Sequence, residues 1–469
     1  MRHPYRQRTR LWWFLALLVF LGCSFLATRK GFYEPITADL QSGKYESAVQ
    51  KIEAAKDSKK FAEKDRFLYF IDSGLAHFYA SQYDISNTKL TLAENAAEEL
   101  FTKSVSRTAA SLLLNDNVLE YPGEDYEVLY TNLFKALNYL ELKKFDDAFV
   151  EIRRANLKLE LLEQKYAVAA EKLQRSSPDD AEEVRLKYDV KKVRFHNDAF
   201  ARYMSMHMYA ADGMLDDARI DYDWLHDAFV SQSHVYSFPV PDVKYTSTGK
   251  AILSVVAMAG LSPVKEALNL RIRTDKDLDL VQVLYDGPGR GDEEYGHFPL
   301  QVSEDYYFKF AIPVIASRPS FIDRIRILVD GEPAGELGLL EDVGKVAQET
   351  FEAKKSLIYV RSVARAVAKG LAAHELKEEA DKKTENKLAR WLKKAAIDVG
   401  TDIIENADLR CSRLLPGRIL IGDFEIEPGT YTISVEFLDQ TGAPLHRSDY
   451  PHFPVKRGAF NLIKSFSLN

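Results

Sequence analysis

Apolar residues change their spacing three times along the chain. Leu11 to Leu21 is an uninterrupted apolar run, LWWFLALLVFL. From about Tyr33 to Gln232 the apolar positions recur at intervals of three and four among Ala, Leu, Glu and Lys, which predicts helices, with proline confined to Pro35, Pro122 and Pro178. In YEVLYTNLFKALNYLELKKFDDAFVEIRRANLKLE, Ala136 and Tyr139 lie three apart, a turn is expected near Lys143 and Lys144, and Ala148, Ile152 and Ala155 follow at spacings of four and three. Small residues at such points let two antiparallel helices approach, and an aromatic fills the gap between neighbouring pairs. The signature recurs at Ala48, Ile52 and Ala55, and more weakly at Ser86, Leu90 and Ala93 and at Ala218, Tyr222 and Leu225. Its unit of about 34 residues is tetratricopeptide-like. Because the units are unevenly spaced, the reading is a divergent repeat domain over residues 33–236. It includes a long extra helix, expected from about Glu127 through the charged stretch to Leu173 and broken at Ser176, Ser177 and Pro178.

Residues 237–250 contain prolines and no helical period, as a linker would. The period then shortens. AILSVVAMAGLSPVK, LDLVQVLYDG, YYFKFAIPVI and RIRILVDGEPAGELGLL read as strands, the last folded into a hairpin at Asp330-Gly331. Tyr431, Ile433, Val435 and Phe437 alternate with polar residues, predicting one buried and one wet face, and FNLIKSFSL is expected to close the sheet. Two long helices, roughly Glu341–Lys377 and Thr384–Asn406, interrupt these strands. The second carries the stripe Leu388, Trp391, Leu392, Ala395 and Val399 beside Lys387, Arg390, Lys393 and Lys394. Such a basic amphipathic helix can lie on a membrane. A hairpin packed on itself or on the sheet is the simpler account. The expected fold is therefore α+β and multidomain: an N-terminal all-α repeat domain, then a β-rich, sandwich-like domain in two parts, 251–340 and 408–469, with a helical hairpin inserted at 341–407.

The first thirty residues set the compartment. Arg2, Arg6, Arg8 and Arg10 precede the apolar run with no acid among them, and Gly22, Cys23 and Ser24 follow it. Positive, apolar, small, cysteine is the order of a lipoprotein signal. It predicts cleavage of residues 1–22, a diacylglyceryl group on Cys23 and a tether over 23–32. The alternative is an uncleaved signal anchor from Leu11 to about Thr28, near the ~20 apolar residues that a spanning helix needs. Either way the protein is exported and tethered. Ser24 favours the outer membrane, facing the periplasm, where sorting reads the residue after cysteine.

Charge and chemistry narrow the function. Removing the four signal arginines takes the formal charge from −7 to −11, so nucleic acid is a poor partner. Of two cysteines, an acylated Cys23 leaves Cys411 unpaired, a small core residue rather than a nucleophile. The ten histidines form no HExxH or HxH pair, and there is no nucleophile elbow or phosphate-binding lysine loop. GPGRGDEEYG, residues 287–296, reads as a solvated hairpin loop whose acids would repel phosphate. No cofactor, no metal site and no catalytic residue is expected.

The segments YTNLFKALNYLELKKFDDAFVEIRRAN, AGLSPVK, RSVARAVAKG and ENADLRCSRLLPGRILIGDFEIEPGTYTI together resemble an uncharacterised family of bacterial envelope lipoproteins with N-terminal tetratricopeptide-like repeats. Cys411 stands where that family tends to have tryptophan. The resemblance implies an envelope location. The reading that follows is a non-enzymatic scaffold or adaptor, anchored to the membrane and binding a protein partner through its helical repeats. A regulator of peptidoglycan synthesis and an envelope hydrolase are the alternatives.

Overall fold

The computed structural model describes residues 30–106, 119–176, 195–275, 277, 280–286, 293–299, 307–352, 355, 358–359, 362 and 407–469. Cys23 lies outside these residues with most of its tether, as do residues 363–406 of the expected helical hairpin.

The helical half is α1 (Lys30–Gln41), α2 (Tyr45–Asp57), α3 (Arg66–Tyr79), α4 (Tyr83–Ser106), α5 (Asp125–Glu141), α6 (Phe145–Ser176), α7 (Ala199–Ala211) and α8 (Leu215–Ser231). Consecutive helices pack as pairs, α1 on α2, α3 on α4, α5 on α6 and α7 on α8. The small residues sit at the contacts: Ala48, Ala55, Ala136, Ala148, Ala155 and Ala218 are buried, and Tyr139 is half-buried. The helices approach closely at Gly74 on α3, where a Cβ would stand 2.6 Å from Leu90 Cδ2 on α4. The single long helix expected from Glu127 to Leu173 is two helices. Lys143 turns the chain back with φ +60°, and its N–H and that of Lys144 cap α5 through Leu140 O and Tyr139 O. Among the described residues no helix is long and apolar enough to cross a membrane.

The second half is built of small sheets. β1 (Ala251–Leu261), β9 (Pro416–Ile426), β8 (Gly338–Asp342) and β12 (Asn461–Ser467) form one, in the order β12-β1-β9-β8, with β12 parallel to β1 and the other pairs antiparallel. β11 (Pro444–Val455), β10 (Gly429–Leu438), β6 (Arg324–Val329) and β7 (Glu332–Glu336) form an antiparallel second, and β4 (Glu294–Pro299), β3 (Leu280–Tyr285), β2 (Val264–Asp275) and β5 (Tyr307–Ala316) an antiparallel third. The expected turn at Asp330-Gly331 is present, with φ of +49° and +87° at the two residues. A helix begins at residue 343, directly after β8. β4 starts inside the stretch read as a hairpin loop, because Glu294 and Gly296 already pair with Leu284 and Val283 of β3, a ladder that a glycine-rich reading hides.

β1 explains its own unbroken apolar run. Leu253, Val255, Ala257 and Ala259 enter a core shared with Ile325, Ile327, Ile433, Val435 and Phe437 of the second sheet. Val256 and Met258 point the other way, into the core of the helical half beside Tyr79, Phe134 and Met204. A strand covered on both faces has no need of alternation. The wet face expected of β10 is exposed at Thr430 and Thr432 but not farther along the strand. Ser434 and Glu436 are buried, because Arg326 and Arg447 lie over Glu436 and Asp449 accepts from Ser434.

Candidate functional site

Residues 407–415 contain no helix or strand, yet Arg410 to Leu415 are all buried. An irregular segment in such a place must find partners for its peptide groups outside the ordinary ladders. The helices supply them. Ser412 N donates to Glu127 Oε1 at 2.5 Å, Arg413 N to Asp72 Oδ1 at 3.3 Å, and Tyr79 donates to Leu414 O at 2.9 Å. From the β side, Arg318 Nη2 donates to Arg413 O at 2.7 Å and Ser262 N to Leu415 O at 2.8 Å. The inner side of the helical pairs is thus occupied by the chain's own segment.

The side chains of the segment are held as firmly. Arg410 grips Asp408 through Nε and Nη2 at 2.9 and 2.7 Å, and its Nη1 reaches Asp65 Oδ1 and Leu119 O, both at 2.9 Å. Tyr121 lies under the guanidinium, 5.1 Å from ring to carbon. Ser412 Oγ donates to Asp72 Oδ1, and Tyr33 donates to Asp72 Oδ2, each at 2.6 Å. Burial, with neighbouring Glu124 adding to it, pushes the Glu127 carboxyl up to about 7. Burial also raises Asp72 to about 6, against hydrogen bonds from Ser412 and Tyr33. Cys411 is buried and free, and burial pushes its thiol up, which disfavours the thiolate that nucleophilic chemistry needs.

A second junction centres on Asp423 of β9. Its Oδ1 accepts from Tyr203 on α7 at 2.9 Å and from Ser254 on β1 at 2.8 Å, and its Oδ2 accepts from Lys244 N at 3.0 Å. His207 Nε2 stands 3.2 Å from the same carboxylate, its ring stacked on Phe460. Residues 237–250 have no regular structure, but this bond straps them to the sheet. At a third junction Tyr236 donates to Glu341 Oε2 at 2.9 Å, and burial raises Glu341 strongly and Asp198 to about 6.

One open cleft of about 680 Å³ lies where the end of β1, the start of β9, the loop 317–323 and the β10–β11 turn converge. Arg318 and Arg418 line it, with Phe321 and Leu445. Among the described residues no group of three or more His, Cys, Asp and Glu side chains is placed to hold a metal ion.

The residues singled out from the sequence do not meet at one place. The repeat alanines are distributed along the helix contacts, and Cys23 falls outside the described residues. Sequence reasoning missed Asp65, Asp72, Glu127, Lys265 and Asp423, all buried. The signal for several of them was a charged residue within an otherwise apolar stretch, such as Asp72 in RFLYFIDSGLAHFY. No protein-family model, curated protein or solved structure matches the chain.

Proposed function

We propose that the protein is an exported, lipid-anchored, non-enzymatic scaffold or adaptor at the bacterial cell envelope, whose helical half binds a protein partner. The anchor rests on the sequence around Cys23, and Ser24 favours the outer membrane. The helical pairs are taken as divergent tetratricopeptide-like repeats, a reading supported by the buried small residues at their contacts. The β-rich half is taken as sandwich-like, supported by the core that β1 shares with β6 and β10.

One observation supports a choice of binding face. The first helices of the pairs, α1, α3, α5 and α7, spend Tyr33, Tyr79, Glu127 and Tyr203 on their own chain. Three of the second helices keep apolar side chains in solvent: Ile85 and Leu92 on α4, Val150, Leu157 and Leu161 on α6, Ile220 and Trp224 on α8. Scattered exposed apolar residues are ordinary, but their repetition on α4, α6 and α8 supports these helices as the surface left for a partner. The test is capture from envelope extracts with the full chain, compared with a Leu157→Glu/Trp224→Glu variant of unchanged helicity. A specific partner lost with the variant is the expected result; no specific partner, or equal capture by both, refutes the reading. Palmitate labelling of wild type but not of Cys23→Ala tests the anchor separately.

A further inference from the structure

We propose that the cleft between the β1–β9 end and the β10–β11 turn is a binding site for a monocarboxylate joined to an apolar group. The inference stands apart from the scaffold reading and does not depend on it.

The positive charge in the cleft is not spent on carboxylates. Arg318 donates from Nε to Ser262 O at 2.6 Å and from Nη2 to Arg413 O at 2.7 Å, both backbone carbonyls. Arg418 donates from Nη2 to Ile322 O. Neither forms an ion pair among the described residues. Carbonyls orient a guanidinium without neutralising it, and each fork keeps donors for an acceptor in the cleft. Burial pushes the Arg318 guanidinium down to about 10, as expected for a cation whose charge is poorly compensated.

The apolar part of the ligand is read from the rim. Phe321 is 74% exposed and Leu445 40% exposed, and both line the cleft. A phenyl ring held in solvent beside a cavity with two unpaired guanidiniums offers contact area next to charge, the combination of a small-molecule site. The volume of about 680 Å³ suits a ligand of one or two apolar groups.

The acids in the lining set the charge of the ligand. Asp439 Oδ1 is engaged by Thr441 N, Thr441 Oγ1 and Ala443 N, Asp342 Oδ1 by Lys345 N, and Asp323 by Arg324. Their hydrogen bonds are used locally, but their charges remain. Arg324 offsets Asp323, so two guanidiniums face Asp342 and Asp439, a balance that opposes a dianion such as a phosphate monoester and leaves charge-assisted donors for a single carboxylate.

An apolar monocarboxylate could be the carboxyl end of a peptide or an acyl chain, and calorimetry on the full chain separates the two. N-acetyl-leucyl-phenylalanine represents the first and octanoate the second, with N-acetyl-leucyl-phenylalaninamide and acetate as controls. Saturable binding of at least one acid is expected, with the controls at least about tenfold weaker. Arg418→Gln is expected to weaken binding by about tenfold or more. Phe321→Ala alters only an exposed side chain, so it tests the apolar half without disturbing the fold, and several-fold weaker binding is expected. No saturable binding of either acid, binding of the amide equal to that of the acid, or full affinity in both variants would overturn the proposal.

Discussion

Arg410 and Asp65 are 345 residues apart in sequence, and the Nη1 of one lies 2.9 Å from the Oδ1 of the other, both side chains buried. With Asp408 on the remaining donors, one guanidinium closes the junction between the helical and β-rich halves. Removing it leaves the buried Asp65 and the partly buried Asp408 without their cation, a loss of about 3–5 kcal/mol. Arg410→Ala is therefore expected to lower the urea midpoint markedly. Arg410→Lys should recover little of it, because an ammonium cannot serve Asp408 in the paired fashion and Asp65 at once. Near-wild-type stability of the lysine variant would count against this account.

Gly74 makes a sharper steric prediction. A Cβ there meets Leu90 Cδ2 at 2.6 Å and Leu90 N at 3.3 Å, so α3 and α4 must part or Leu90 must leave its position. Gly74→Ala gains helix propensity of about 1 kcal/mol, yet overpacking of about 1–3 kcal/mol opposes it. Net destabilisation is expected in thermal unfolding, and Leu90→Ala in the same chain should relieve part of it. If Gly74→Ala alone stabilises the protein, the helices are less closely packed than described.

How much of this was legible follows from what each signal depends on. Local patterns carried the helix contacts: the spacing at Ala136, Tyr139, Ala148 and Ala155 places small residues where neighbouring helices touch. The Asp330-Gly331 turn was equally local. What escaped was set by pairing at long range. β12 pairs with β1, in parallel, more than two hundred residues from it in the chain, and nothing in FNLIKSFSL specifies that partner. The end of β10 departs from its alternation because alternation reports hydrophobicity, not exposure, and Glu436 is buried by arginines that reach it from β6 and β11. Residues 407–415 look like a connector in sequence. Only the helices around them reveal a buried strap.

That strap and the two faces of β1 also bear on cooperativity. One hydrophobic core contains Tyr79 and Phe134 of the helices together with Val256, Met258 and Ile421 of the first sheet. Neither half can lose its structure without exposing apolar surface of the other. Hydrogen exchange is therefore expected to give α3 and β1 amides the same opening free energy and the same denaturant dependence. Distinct values, with α3 opening while β1 stays protected, would show that the halves are independent units.

The buried acids at the strap predict how stability moves with pH. Glu127 is raised to about 7 and Asp72 to about 6, chiefly by burial, so the folded chain keeps protons that the unfolded chain has already lost. Their contribution is complete below the unfolded carboxyl range and disappears as pH rises through 6 and 7. For Glu127 alone the difference between pH 5 and pH 8 is about 2.5 kcal/mol. Glu94 works in the opposite sense at lower pH: despite burial, Lys158 and Lys135 hold it near 2, so its stabilisation is lost only as acid protonates it. Glu127→Gln should flatten the slope between pH 5 and 8 because the amide does not titrate, while it keeps an oxygen to accept from Ser412 N. Urea unfolding of wild type and variant at pH 5, 6, 7 and 8 reads this directly. The variant is expected to be the less stable of the two at pH 5, by about 1 kcal/mol for an imperfectly replaced hydrogen bond, and to close or reverse the gap by pH 8. Parallel stability profiles would mean that Glu127 is ionised throughout and that the hydrogen bonds it accepts from Ser412 N, Tyr121 and Glu124 N compensate for its burial.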